Sequence, residues 1–108
     1  VARVLAVVPD LMLSSRVVEG LGAAGHEVEV VAALPATIAA DVLVCDLDAV
    51  DATAVAAAPV PALGFYSHVD VDTKRAAEEA GVGLVVPRSK MVRELPALVE
   101  GLLGGGGG

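Results

Sequence analysis

Apolar residues recur along this chain in two alternating rhythms. Arg3 to Val8 is a short Val-rich run that stops at Pro9. A run of that length, closed by a breaker, predicts a buried strand. From Leu11 to Ala24 the apolar positions fall at Leu13, Val17, Val18, Leu21 and Ala24, with Arg16 and Glu19 off the stripe. That spacing is one face of a helix. Asp10 is placed to cap its start. Gly25 is placed to end it, because the residue after a helix often takes the left-handed conformation that glycine tolerates. "HEVEVVA" then alternates and predicts a strand over Glu27 to Val31.

The alternation continues. Residues Pro35 to Ala39 predict a short helix or a turn, and "DVLVCD" (41–46) predicts an apolar strand that ends in an acid. Asp51 to Ala57 is an Ala-rich helix stopped by Pro59, and "PALGFYS" (61–67) is a fourth strand. "DVDTKRAAEEAG" (70–81) predicts a polar helix with acids first and Gly81 as its stop. "GLVVP" (83–87) is a fifth strand, and a last helical segment runs to about Leu103. Pro96 has no N–H to donate, so that segment either begins near Leu95 or kinks there.

Five apolar strands alternating with five helices predict a parallel sheet covered on both faces. Right-handed crossovers narrow this to a three-layer, doubly wound α/β sandwich with strand order 2-1-3-4-5. The expected domain is residues 1–103, and the glycines at 104–108 are expected to be disordered.

One motif is removed by its position. "GLGAAG" (20–25) fits G-x-G-x-x-G, the glycine pattern of dinucleotide-binding turns. Such a turn follows a strand and opens a helix, since the phosphates rest on the helix N-terminus. Here the glycines close a helix and precede a strand. They lie at the end where carbonyls point outward. Gly20 and Gly22 are then either close-packing positions or weak spots in the last helical turns.

Composition narrows the functions. The formal net charge is −7, and Phe65 and Tyr66 are the only aromatic residues. An acidic surface repels phosphate backbones and anionic lipid, and there is no stacking platform for bases. Neither nucleic acid nor membrane is expected as a partner. The start of the chain lacks the long apolar region of a signal peptide. The single cysteine, Cys45, excludes an internal disulfide and suits a cytoplasmic setting. Lying inside an apolar strand, Cys45 is expected to be a buried structural thiol. His26 is expected to be a solvated turn residue.

In such a sandwich, ligands bind at the carboxyl ends of the strands. After strand one come Pro9, Asp10, Ser14 and Ser15; after strand three, Asp46 and Asp48; after strand four, Ser67, His68 and Asp70; after strand five, Pro87, Arg88, Ser89 and Lys90. Asp10, Asp46 and Ser67 are expected to converge. Ser67, His68 and Asp70 stand too close in sequence to form a hydrolase triad.

At these residues a resemblance emerges. The stretches "AAGHEV", "ADVLVCDLD", "VPALGFYSH", "RAAEEAGV" and "VVPRS" resemble the receiver domain of two-component response regulators, a flavodoxin-like fold, over residues 3–103. The resemblance implies a phosphoryl-accepting Asp at the end of strand three, which falls on Asp46. It implies an acidic pair after strand one that holds Mg²⁺, and those positions fall on Val8 and Pro9, with Asp10 one residue late. The switch Ser/Thr position falls on Tyr66, with Ser67 next. The Lys position falls on Val86, before Pro87. Asp48 falls where receivers offer the metal a backbone carbonyl.

Mg²⁺ favours hard oxygens, and a developing phosphoryl charge needs a cation. With Val8, Pro9 and Val86 in those places, Mg²⁺ is expected to bind weakly if at all, through Asp10 and Asp46. No other cofactor and no enzymatic activity are expected. Asp10 reads first as a helix cap and second as a metal ligand. The leading expectation is a receiver-like interaction module of two-component signalling type, a pseudo-receiver with a degraded phosphoacceptor site. Its partner face would be residues 70–103, used for another protein or for a second copy as a homodimer. Two alternatives stand beside it. One is a working phosphoacceptor on Asp46 with an altered metal site. The other is a small anionic-ligand binder or enzyme using Ser67, His68, Arg88 and Ser89.

Overall fold

The computed structural model describes residues 2–67 and 71–104. Its elements follow the predicted alternation. They are β1 (Arg3–Val7), α1 (Leu11–Ala23), β2 (Glu27–Val31), β3 (Val42–Asp46), α2 (Ala52–Ala56), β4 (Ala62–Tyr66), α3 (Val71–Ala80), β5 (Leu84–Pro87) and α4 (Arg88–Gly104). The five strands form one parallel sheet in the order β2-β1-β3-β4-β5. This is the doubly wound architecture that the strand and helix pattern predicts.

Two apolar layers hold the sheet. On one face, Val4, Ala6, Val44, Leu63 and Phe65 pack against Leu13, Val17 and Leu21 of α1 and Met91, Leu95 and Val99 of α4. On the other, Leu5, Val7, Leu43 and Cys45 pack against Val55 of α2 and Ala77 of α3. Alternate strand residues feed opposite layers, as the pleat requires. The central strand β3 is buried along its whole length, which is why its sequence is a continuous apolar run.

Local chemistry sets the helix ends. The Asp10 carboxylate accepts the N–H of Leu13 at 3.0 Å and caps α1. Gly25 has φ +91° and Gly81 has φ +98°, so both helix exits use the left-handed backbone that glycine supplies at little cost. In α4 the backbone leaves helical geometry at Glu94 (φ −122°, ψ 15°), just before Pro96. The segment therefore kinks rather than starts late. Its buried residues Met91, Leu95 and Val99 keep one face on the sheet across the kink.

Four readings of the sequence need correction. Residues 32–41 hold no helix, so the crossover from β2 to β3 is irregular, and the described residues contain four helices rather than five. The inward stripe of α1 is Leu13, Val17 and Leu21; Val18 and Ala24 are exposed. A Cβ built on Gly20 or Gly22 would meet nothing within 4 Å, so neither glycine serves close packing. His26 is not solvated. Its side chain is 7% exposed, Nδ1 accepts the N–H of Ala2 at 3.2 Å, and Nε2 faces the Glu100 carboxylate at 3.5 Å. The imidazole thus joins the start of β1 to the outer half of α4.

Candidate functional site

Asp46 is the last residue of β3 and, among the described residues, one of two buried polar residues, with 9% of its surface exposed. The parallel sheet brings it beside the ends of β1 and β4. The chain turns immediately after it. The carboxylate Oδ1 accepts the N–H of Asp48 at 2.9 Å, and the Asp46 carbonyl accepts from Ala49 and Val50, each at 3.0 Å. The Asp48 carboxylate in turn accepts the N–H of Ser67 at 3.0 Å. Asp48 thereby clasps the loop after β3 to the loop after β4. The sequence places Asp48 among the pocket residues, and the resemblance implies only a backbone carbonyl role for it. Only the turn at Asp46 carries a local signal, since a carboxylate commonly accepts the N–H two residues on.

Electrostatics at this end of the sheet are finely opposed. Burial pushes the Asp46 carboxyl above its ordinary value of 3.8, and the charges of Asp48 and Asp10 push the same way. The Asp48 N–H and the Arg88 guanidinium pull it back. Asp10, Asp46, Asp48 and Arg88 therefore share one electrostatic neighbourhood. Ser67 joins it through Asp48.

The remaining predicted site residues divide. Tyr66 ends β4 half-buried and pairs in register with Pro87. Arg88 and Ser89 are exposed and begin α4 directly from β5, with Lys90 half-buried behind them. Val8 is 1% exposed and Val86 is 3% exposed; both belong to the apolar layer under α1 and α4. His68 and Asp70 lie outside the described residues. Leu11 and Met12, which follow Asp10, are 82% and 80% exposed and give this end of the sheet an apolar border.

The residues present do not fit a Mg²⁺ site of the kind the resemblance implies. One oxygen of Asp10 is committed to capping α1, and Val8 and Pro9 offer no side-chain oxygen. Among the described residues, no group of three or more His, Cys, Asp or Glu side chains is placed to hold a metal ion. Hard divalent cations need several oxygens converging on one point.

Cys45 precedes Asp46 and points into the opposite apolar layer. Burial pushes its thiol up to about 12, with the Asp46 charge adding to the rise. It is a structural thiol, as its place in an apolar run predicts.

No family model matches the sequence, and no curated protein matches it. Solved structures do. A candidate response regulator from Chloroflexus aurantiacus superposes with a TM-score of 0.77 at 24% identity, covering 95% of this chain and 98% of that one. HP1043, an orphan response regulator of H. pylori, gives a TM-score of 0.77 at 17% identity, with coverage of 94% and 95%. The receiver domain of ChxR from Chlamydia trachomatis gives 0.75 at 17% identity, with coverage of 95% and 96%. The chain has the receiver-like fold. Among the described residues, no helix is long and apolar enough to cross a membrane.

Proposed function

We propose that this chain is a receiver-like signalling module that works by binding protein partners and does not depend on phosphorylation. One observation carries the reading. The strand-end site keeps the buried acid Asp46 but surrounds it with hydrocarbon where phosphoryl chemistry needs charge. Phosphoryl transfer to a carboxylate depends on neutralising the transferred group and aligning it. The side chains of Val8, Pro9 and Val86 supply neither an oxygen for a metal nor a cation for the phosphoryl oxygens. Among the described residues, Arg88 is the one cation whose charge acts on Asp46, and it is exposed on the helix start.

On this reading the module signals through a surface. The face built by α3, β5 and α4 is the one used by partners or by a second copy. It combines charged α3 positions, exposed at Asp72, Lys74, Arg75, Glu78 and Glu79, with a half-buried edge strand. On the same reading the protein works in a bacterial-type two-component pathway, in the cytoplasm, by binding and not by catalysis.

The test is chemical. The protein is incubated with acetyl phosphate and Mg²⁺, and its intact mass is measured. No phosphorylated species is expected. A stable aspartyl-phosphate that disappears in Asp46→Asn would overturn the reading in favour of a working phosphoacceptor. A thermal-shift screen with phosphate and nucleotides is expected to be flat. A large shift that Arg88→Ala removes would favour a small anionic ligand.

A further inference from the structure

The first four strands are joined to their successors by four crossovers, and only the one from β2 to β3 lacks a helix. On the face opposite α1, the β2 side of the sheet is therefore covered by an irregular loop, residues 32–41, in place of a helix. Beside that loop lies a groove of about 480 Å³, lined by Arg3, Leu5, Glu27 and Glu29 together with Pro35 and Thr37 of the loop. The groove runs along the outer strand of the sheet.

That outer strand is open. The bonds from Glu27 N–H to the Ala2 carbonyl (2.9 Å) and from Val8 N–H to the Val31 carbonyl (3.2 Å) fix the ladder. With Arg3 opposite Glu27, Leu5 opposite Glu29 and Val7 opposite Val31, the odd-numbered residues of β2 turn their backbone groups to β1. The N–H and C=O of Val28 and Val30 therefore point away from the sheet. An unpaired edge of this kind is a template for another strand. The edge contains no Pro, no Lys and no bulge to block pairing.

Charge selects the occupant. Glu27 and Glu29 stand two residues apart on the groove face, both exposed. Arg3 meets Glu27 at 3.6 Å, and Glu29 has no ion-pair partner among the described residues. The nearby Asp41 carboxylate is taken up by the N–H of Arg3 at 2.9 Å and adds to the negative potential. A second copy pairing antiparallel about Val28 or Glu29 would set glutamate against glutamate, and like charges directly opposite destabilise a strand pair. A strand with Lys or Arg at alternate positions would set cations against both glutamates and into the groove.

We propose that the β2 edge is a docking site for an extended segment of a basic partner protein, which adds as a sixth strand and lays alternate Lys or Arg side chains over Glu27 and Glu29. The main-chain ladder supplies binding and the glutamates supply selectivity. This surface lies at the far edge of the sheet from β5, so it operates independently of the α3–β5–α4 face.

The full chain is titrated with an end-capped heptapeptide of alternating lysine and valine, and amide exchange is followed by NMR. Slowed exchange at the Val28 and Val30 amides is expected. Glu27→Gln with Glu29→Gln should weaken binding about tenfold, the size expected of two exposed ion pairs. Val30→Pro removes an outward N–H at a position that is 39% exposed and should abolish binding. The same peptide with N-methylated alternate amides tests the ladder without altering the protein, and it should not bind. Absence of binding by the Lys-Val peptide, equal binding by a Glu-Val peptide or by the N-methylated peptide, or protection confined to β5, would overturn the proposal.

Discussion

β2 and β3 flank the same strand, β1, and each has five residues. Their surroundings differ completely. In β3 all five residues are buried, whereas in β2 none is. β3 reads VLVCD and delivers one acid, at its end; β2 reads EVEVV and carries glutamates along one face. A strand with helices on both faces and neighbours on both edges can hold polarity only where the chain leaves the sheet. An edge strand with one face lightly covered can hold it anywhere along its length. The candidate site and the proposed docking edge follow from that difference. One is a buried carboxylate at the sheet's end, and the other is an open backbone with charge beside it.

The largest expected effect tests the contrast directly. Leu43 of β3 is fully buried between Leu5, Cys45 and the α2–α3 layer. Leu43→Ala should cost about 2–5 kcal/mol of stability. Val30→Ala, at a position 39% exposed on β2, should cost less than about 1 kcal/mol. Urea unfolding of both variants checks this. Equal losses would mean that β2 is as tightly packed as β3 and that its edge is not open.

Much of this contrast is legible in the sequence, for physical reasons. A continuous apolar run must be a central strand, because exposing it is costly. The alternation of HEVEVVA marks a half-exposed one. Asp46 could be placed at the end of β3 because an apolar run that stops in an acid marks where the sheet meets water. The cap at Asp10 and the exits at Gly25 and Gly81 follow from backbone chemistry local to each residue. What failed depended on distant neighbours. The segment AALPATIAA has small residues that suit a helix and a Pro and two β-branched residues that suit a loop, so its local preferences nearly cancel. His26 sits in a turn that looks polar, yet it is buried by the start of β1 and the kinked α4, and neither is near it in sequence. The Asp48–Ser67 bond joins residues 19 apart, so no local pattern records the partner.

The second effect concerns how the site end of the sheet is built. Asp10→Ala removes the acceptor of the Leu13 N–H at the start of α1 and should cost about 1 kcal/mol. Loss of this size without any change in metal response would identify Asp10 as a cap alone. A stability gain on adding Mg²⁺ to the parent protein, lost in Asp10→Ala, would instead assign it to a metal.

Cys45 probes the same contrast through reactivity. Its thiol, pushed up to about 12 by burial and by Asp46, is essentially all protonated at pH 8. Alkylation by iodoacetamide should be undetectable in the folded protein and rapid in denaturant, by intact mass. Ready labelling of the native state would show that the centre of the sheet opens as easily as its edge.

The smallest effect has a sign that distinguishes the two kinds of acid. The folded state holds a proton on Asp46 more tightly than the unfolded chain does, because burial raises the carboxyl above 3.8. Stability from this group is therefore full below pH 3.8 and is lost as pH rises through the folded-state value. Ionised Asp46 thus weakens the fold at neutral pH. Asp46→Asn keeps an oxygen to accept the Asp48 N–H but carries no charge, so it should raise Tm at pH 7, and the gain should vanish as pH falls below 3.8. On the edge strand, Glu29→Gln should leave stability within about 0.5 kcal/mol, as surface changes do. Thermal melts of the parent and both variants across this pH range make the comparison. A lower Tm for Asp46→Asn at pH 7 would mean that the carboxylate is held by a cation more strongly than burial opposes it, and the strand-end site would then regain the charge balance a phosphoacceptor needs.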